Sequence, residues 1–326
     1  MVTGANGFVG ETLCRHLAAA GHTVIAGLRS EIPDPGWMKT RVCGDLEARE
    51  DFTSVVAGAD AVVHLAARVH MMRETAADPD AAYRRANTVV TEGLAGAAAQ
   101  SGVGRFVFLS SVKVNGERTR HDAYSEMDEP APEDAYGRSK LEAEQALQRI
   151  GDETGLSCVS LRVPLVYGPG VGANFGALLR LCDLPVPLPL GGITRNRRSL
   201  LFAGNLTDAI RTVLEEPAGP PGTYLLSDGE DLSTADLVRR LRRSLNRRVP
   251  DLPVPAGLLR ILAGLAGKKA AADRLCGSLQ IDSSRFRQTY DWTPAFSVDQ
   301  GLAATAAWHR AQRWPPVPPL LKLSLI

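Results

Sequence analysis

The first half of the chain alternates two textures. Short β-branched runs at Val2-Thr3, Thr23–Leu28, Ala61–Leu65, Arg105–Ser110 and Cys158–Val163 read as strands. Their cores are nearly unbroken apolar runs, as strands covered on both faces require. Helical periodicity fills the gaps: Gly10–Ala20 puts Leu13, Leu17 and Ala20 on one face, Ala81–Gln100 is Ala-rich, and Ala135–Ile150 carries Leu147 and Ile150 in register. Strand and helix in alternation predict an α/β fold with a doubly wound parallel sheet. After about residue 165, proline clusters at 185–189, 217–221 and 250–255 punctuate shorter elements. The expected organisation is a first domain over 1–165 and a smaller, irregular C-terminal domain over 166–314. Some segments of the second are expected to return to the first, and 315–326 reads as a flexible tail. Leu252–Leu265 is apolar but broken by prolines and Arg260, which predicts a buried hairpin.

Composition narrows the partners. The 326 residues carry 37 basic and 36 acidic side chains, a formal charge of +1, which argues against a nucleic-acid partner. No stretch of about 18 uncharged apolar residues is present, so no membrane span is expected. Five scattered cysteines (Cys14, Cys43, Cys158, Cys182, Cys276) without a C-x-x-C pair argue against disulfides or a metal site. They fit a reducing compartment, so a cytoplasmic location is expected.

The candidate chemistry begins at Thr3-Gly4-Ala5-Asn6-Gly7-Phe8-Val9-Gly10. Glycines at 4, 7 and 10, between a strand and an amphipathic helix, suit a Rossmann-type phosphate-binding turn. Gly4 allows the tight turn, Gly7 admits backbone N–H groups to a pyrophosphate, and Gly10 lets helix approach strand. The helix start then offers unpaired N–H groups and a positive dipole end. Residues 1–165 are thus an NAD(P)-binding domain. Only three residues precede Gly4, against about five (~17 Å) in an ordinary strand. Either this strand is truncated or the true start lies upstream, and a cost in stability is expected. The second strand ends in Leu28-Arg29-Ser30 with no carboxylate; Arg29 suits a 2′-phosphate, which tilts the cofactor slightly towards NADPH over NADH. Asp45, in Gly44-Asp45-Leu46, is placed to meet the adenine.

Tyr136-Gly137-Arg138-Ser139-Lys140 opens a helix with phenol and ammonium one turn apart. An unperturbed tyrosine has a pKa of about 10; a fixed lysine cation beside it, with an oxidised nicotinamide ring, favours the phenolate and a working acid–base. Upstream, strand 105–110 runs into Ser110-Ser111, at the edge where open α/β sheets hold ligands. Ser111 would orient a substrate oxygen towards Tyr136.

With these motifs together the chain resembles the extended short-chain dehydrogenases/reductases, in their nucleotide-sugar epimerase/dehydratase group. The resemblance spans nearly the whole chain: the glycine turn, Val63-His64-Leu65-Ala66-Ala67, Asn87, Ser111, Tyr136/Lys140 and Leu161-Arg162-Val163-Pro164-Leu165-Val166-Tyr167-Gly168-Pro169-Gly170. It implies that Ser111, Tyr136 and Lys140 are catalytic. It implies cofactor contacts from Gly4, Asn6, Gly7, Phe8, Val9, Gly10, Arg29, Asp45, Leu46, Leu65, Ala66, Ala67, Asn87 and Val163, with Tyr136 and Lys140 also on the cofactor. Val69, His70, Ser111, Lys113, Asn174 and Arg198 are implied as substrate contacts, Arg198 gripping the diphosphate of a UDP-sugar. No metal is implied. A homodimer is.

The reaction follows from what succeeds the hydroxyl. The 4,6-dehydratases of this family place an Asp-Glu pair where this chain has Val112-Lys113, so dehydration is disfavoured. The family's usual V-Y-G aromatic is Asn115 here. Finer strings, among them Val112-Lys113-Val114-Asn115-Gly116-Glu117 and Ala173-Asn174-Phe175, are similar to a bacterial subgroup often labelled UDP-glucose 4-epimerase. That subgroup includes 4-keto reductases making UDP-N-acetylquinovosamine or UDP-N-acetylfucosamine for surface polysaccharide. The leading expectation is NAD(P)H-dependent reduction of a UDP-2-acetamido-2,6-dideoxy-hexos-4-ulose. UDP-hexose 4-epimerisation is the alternative, and a non-catalytic dinucleotide sensor the alternative of another class.

Overall fold

The computed structural model describes residues 1–33, 36–69, 78–216, 218–265, 267 and 269–313. Nine strands are β1 (Val2–Thr3), β2 (Ile25–Leu28), β3 (Lys39–Val42), β4 (Ala61–His64), β5 (Arg105–Ser111), β6 (Ser157–Val163), β7 (Leu165–Tyr167), β8 (Leu200–Phe202) and β9 (Gly222–Leu225). Seven form one sheet in the order β3-β2-β1-β4-β5-β6-β9, and β7 pairs with β8 apart. Every pairing is parallel. The order reverses between β1 and β4, the switch point of a doubly wound fold. Short as it is, β1 pairs on both sides, Val2 lying opposite Ala26 and Val63.

Period-2 alternation splits each central strand between two layers. Phe106 and Phe108 of β5 and Val62 of β4 pack with Leu94 and Leu147. Val107 and Val63 face the other way, with Leu13, Leu17, Leu206 and Ile210. The second of these layers includes helix 203–215, so the second half of the chain supplies both a covering helix and β9 to the sheet. On this helix Asp208 accepts from Trp292 Nε1 at 2.9 Å. A separate core gathers Tyr167, Phe175, Leu179, Phe202, Val238, Leu241 and Leu302.

The expected buried hairpin at 252–265 is corrected. Ala256–Leu265 is a helix with no buried residue. Its prolines, 253 and 255, lie ahead of it, and Ala, Leu, Arg and Ile after Pro255 are free to propagate a helix. Helix 135–154 runs four residues beyond the expected end and stops where Gly155 turns left-handed, at φ 79°. All five cysteines are free and buried. No helix among the described residues is long and apolar enough to cross a membrane.

Candidate active site

The glycine turn is held by contacts that forbid side chains. Gly4 sits at φ +68°, and a Cβ on it would fall 2.8 Å from the Ala66 backbone nitrogen. One on Gly10 would fall 2.1 Å from the Gly4 carbonyl oxygen. The Gly7 N–H closes the turn on that same oxygen at 3.0 Å, and helix 8–19 starts at once. Phe8 and Val9, in its first turn, pack against the two cores. On the far side of the turn, Ala66 N–H donates to Thr3 Oγ1 at 3.4 Å and Leu65 N–H to Thr3 O at 3.3 Å.

A cavity of about 480 Å³ opens beside this turn, lined by Gly4, Asn6, Arg29, Asp45, Leu46, Ala66 and Ala67 among others. A dinucleotide fits what is present: a glycine cradle without Cβ atoms, a helix start facing it, and an open cleft along the carboxyl ends of β1, β2 and β4. Arg29 and Asp45 stand 3.6 Å apart across its rim, both largely exposed. Asp45 also caps the turn 46–48 by accepting from Glu47 N–H at 3.2 Å. A 2′-phosphate would meet both the guanidinium and this carboxylate.

The candidate catalytic residues meet because of close backbone packing. Asp134 caps helix 135–154, accepting from Gly137 N–H at 2.7 Å. A Cβ at Gly137 would lie 2.8 Å from the Lys113 carbonyl oxygen, so only glycine lets the helix press against the turn after Ser111. Tyr136 thereby reaches Ser111. Burial pushes its phenol up to about 12, Ser111's hydrogen bond pulling it back while Asp134 and Tyr83 push it further. Lys140 is buried; Nζ donates to Leu109 O at 2.8 Å and lies 4.4 Å from the Phe108 ring centroid and 5.8 Å from that of Tyr136. Burial lowers it to about 7, against the carboxylate of Glu144. Desolvation penalises phenolate and ammonium alike and is the largest cause of both shifts.

Of the remaining sequence-predicted residues, Val163 lies in register with Ser111 on the neighbouring strand. Asn87 sits on a π-turn at 84–89 with its carboxamide engaged: Oδ1 accepts from Arg68 N–H at 2.9 Å, and Nδ2 donates to Arg68 O and Ser139 Oγ. Lys113 is held by Glu117 at 2.5 Å and Asp134 at 2.6 Å. Arg198 donates to the carbonyls of Arg274 (2.7 Å) and Gly277 (3.2 Å), and burial lowers its pKa against the pull of Glu117. Glu117 thus lies within electrostatic reach of both Lys113 and Arg198. Asn174, on the first turn of helix 173–182, and Val69 are exposed. His70 lies outside the described residues.

Sequence reasoning missed the support beneath the site. Glu144 accepts from Ser110 Oγ (2.5 Å) and from Arg162 Nη2 (2.6 Å), and Arg162 Nη1 donates to Asn115 Oδ1 at 3.0 Å. All four are buried. Asn115 is therefore turned into this network. Glu144, one turn beyond Lys140 on a helix face with Leu147, was the available signal. Tyr83, edge-on to Tyr136 at 6.1 Å, had none.

A sequence model described as the NAD dependent epimerase/dehydratase family matches residues 1–226. The chain is 40% identical to the UDP-glucose 4-epimerase of Vibrio cholerae, over 94% of each. It is 28% identical to N-acetyl-alpha-D-glucosaminyl-diphospho-ditrans,octacis-undecaprenol 4-epimerase of Escherichia coli O157:H7, over 94% of this chain and 93% of that one. Among solved structures it is similar to UDP-N-acetylglucosamine 4-epimerase from Bacillus cereus, with TM-score 0.78, 21% identity and coverage of 95% and 98%. It is also similar to MoeE5 in complex with UDP-glucuronic acid and NAD, with TM-score 0.74, 25% identity and the same coverage.

Proposed function

Because the chain belongs to the NAD dependent epimerase/dehydratase family, we propose that it is a UDP-hexose 4-epimerase, moving a hydride and a proton at C4 of the sugar. The carrying observation is Ser111 and Tyr136 brought together at the carboxyl edge of β5 with no carboxylate pair after the serine. Val112 is buried and Lys113 is neutralised by two acids, so neither can move water at C6. The 40% identity to an epimerase over 94% of both chains supports the same reading.

When bound, the nicotinamide cofactor takes up and returns the hydride. Gly4 and Gly7 would hold its diphosphate at the start of helix 8–19, which Gly10 lets approach the turn, and Ala66 and Ala67 would line its nicotinamide ribose. Ser111 donates to the C4 oxygen and fixes its direction. Tyr136 takes the proton from that oxygen and later gives it back. With a phenol pushed up to about 12, the proton-giving half is the easy one. Taking the proton requires Lys140 to be charged, since an ammonium beneath the ring stabilises phenolate. Arg198 is the diphosphate contact of the sugar nucleotide, and Asn174 and Val69 flank the sugar. A homodimer is part of this proposal.

A second reading, net reduction of a UDP-4-keto-6-deoxy-HexNAc, is favoured by Arg29 just after β2, whose guanidinium suits the 2′-phosphate of NADPH, although Asp45 stands 3.6 Å from it. One experiment separates them. The purified protein is incubated with UDP-galactose alone, and with the 4-keto sugar plus NADPH or NADH, and products are identified by NMR. UDP-glucose without net cofactor change is the expected outcome. Cofactor consumed in proportion to a 4-hydroxy product means reduction; no product in either arm overturns both readings.

A further inference from the structure

Helix 256–265 carries its apolar side outward. Ala256 and Leu259 are half-buried against the second core. The 3.6-residue period then groups Leu258, Ile261, Leu262 and Leu265 on the opposite side, exposed by 48, 64, 52 and 84%. Leu252, just ahead, is 50% exposed. Single exposed leucines are ordinary; four on one helix face mark an interaction surface. The surroundings are cationic. From Arg239 to Cys276 the sequence has ten basic residues against Asp251 and Asp273, of which Arg239, Arg240, Arg242, Arg247 and Arg260 are paired with acids. Arg243, Arg248, Arg260, Lys269 and Arg274 are exposed. Arg274, whose carbonyl receives Arg198, belongs to this same segment, so on the proposed role of Arg198 the surface adjoins the sugar-nucleotide side of the molecule.

We propose that this face docks on an anionic phospholipid surface. Leu258, Ile261, Leu262 and Leu265 enter the boundary between headgroups and acyl chains, and the flanking arginines and Lys269 meet lipid phosphates. Charge selects this occupant. A two-fold contact between copies of the chain through the same helix would bring the exposed Arg243, Arg248, Lys269 and Arg274 of one copy against those of the other, whereas a bilayer bearing phosphatidylglycerol supplies the opposite sign. The docking is peripheral, since ten residues span only about 15 Å as a helix.

The test is co-sedimentation of the full chain with vesicles of phosphatidylcholine alone or with a third phosphatidylglycerol. The wild-type protein is expected to pellet with the anionic vesicles, less so as salt is raised. The I261E/L262E variant should lose at least about tenfold in partitioning, with an unchanged thermal midpoint because both side chains are exposed. L265Q, at the most exposed position, should lose a smaller part in the same direction. Failure of the wild-type chain to bind anionic vesicles overturns the proposal, as does equal binding to neutral ones or binding that both variants retain. So does a dimer in buffer that I261E/L262E dissociates, which would give the face to a second copy.

Discussion

The edge of β5 and the segment from 246 to 276 lie in the same chain and obey opposite rules. At the edge, apolar side chains alternate into two filled layers, and each buried polar group has a partner: Ser110 with Glu144, Glu144 with Arg162, Arg162 with Asn115. In the segment, leucines face outward and exposed cations outnumber acids. Both stretches show clean helical or strand periodicity. Periodicity states which residues share a face; it does not state what that face looks at. For β5 the answer comes from two flanking layers that the rest of the chain supplies. For helix 256–265 the described residues cover one side only.

The severest test of the ordered edge is Tyr136→Phe. Removing the phenolic oxygen deletes the proton carrier and leaves the fold and the glycine turn alone. Turnover should fall about 10²- to 10⁴-fold while cofactor affinity, measured by fluorescence titration, stays put. A variant that keeps full activity removes Tyr136 from the chemistry. Glu144→Gln comes next. It leaves the Arg162 guanidinium buried without its counter-charge, a loss of about 3–5 kcal/mol in denaturant unfolding. It also withdraws the one carboxylate that raises Lys140, so the lysine should titrate below about 7 and the pH profile of turnover should move to lower pH. The edge would prove less interdependent than described if stability dropped and the profile did not move.

These two variants mark where sequence reading succeeded and where it stopped. The glycine turn, Ser111 and the Tyr136/Lys140 pair were readable because each needs a particular residue type at a fixed spacing. Glu144 was not, because nothing local distinguishes a buried acid on an amphipathic helix from one at its margin; its partners lie 18 and 34 residues away. Gly137 looked like a spacer in Y-x-x-x-K, yet its missing Cβ lets Tyr136 approach Ser111. Strands β7, β8 and β9 have three or four residues each, too short for a period to show. The misjudged hairpin had a different cause: prolines were weighed as interruptions when they stand ahead of a helix.

His64 extends the comparison to pH. It is buried in β4, its Nδ1 2.6 Å from Thr3 Oγ1 and its ring stacked at 5.9 Å on Phe108. Burial, with Lys140 adding to it, holds its pKa down to about 3 from 6.5. Between these values the unfolded chain binds a proton that the folded chain refuses. The stability tied to neutral His64 is therefore complete above pH 6.5 and drains as pH falls towards 3. At pH 5 the loss is about 2 kcal/mol. His64→Gln should flatten that acid limb in urea titrations at pH 7 and pH 5, and an unchanged limb would assign the acid sensitivity elsewhere.

The smallest effect concerns the rim of the cofactor cleft, where the ordered edge gives way to solvent. Arg29 and Asp45 are too exposed for their 3.6 Å pair to carry measurable stability. Their influence is on choice. Asp45 occupies the guanidinium and sets a negative charge where an adenosine 2′-phosphate would lie. Asp45→Asn frees Arg29 and removes the repulsion, so affinity for NADPH relative to NADH should rise about fivefold, the equivalent of one charge-assisted contact worth about 1 kcal/mol. Arg29→Gln should shift the ratio the other way. Because both groups face water, raising the salt should shrink both shifts. An affinity ratio that neither variant moves would mean that the ribose lies beyond reach of this pair, and that the end of β2 does not set the cofactor preference.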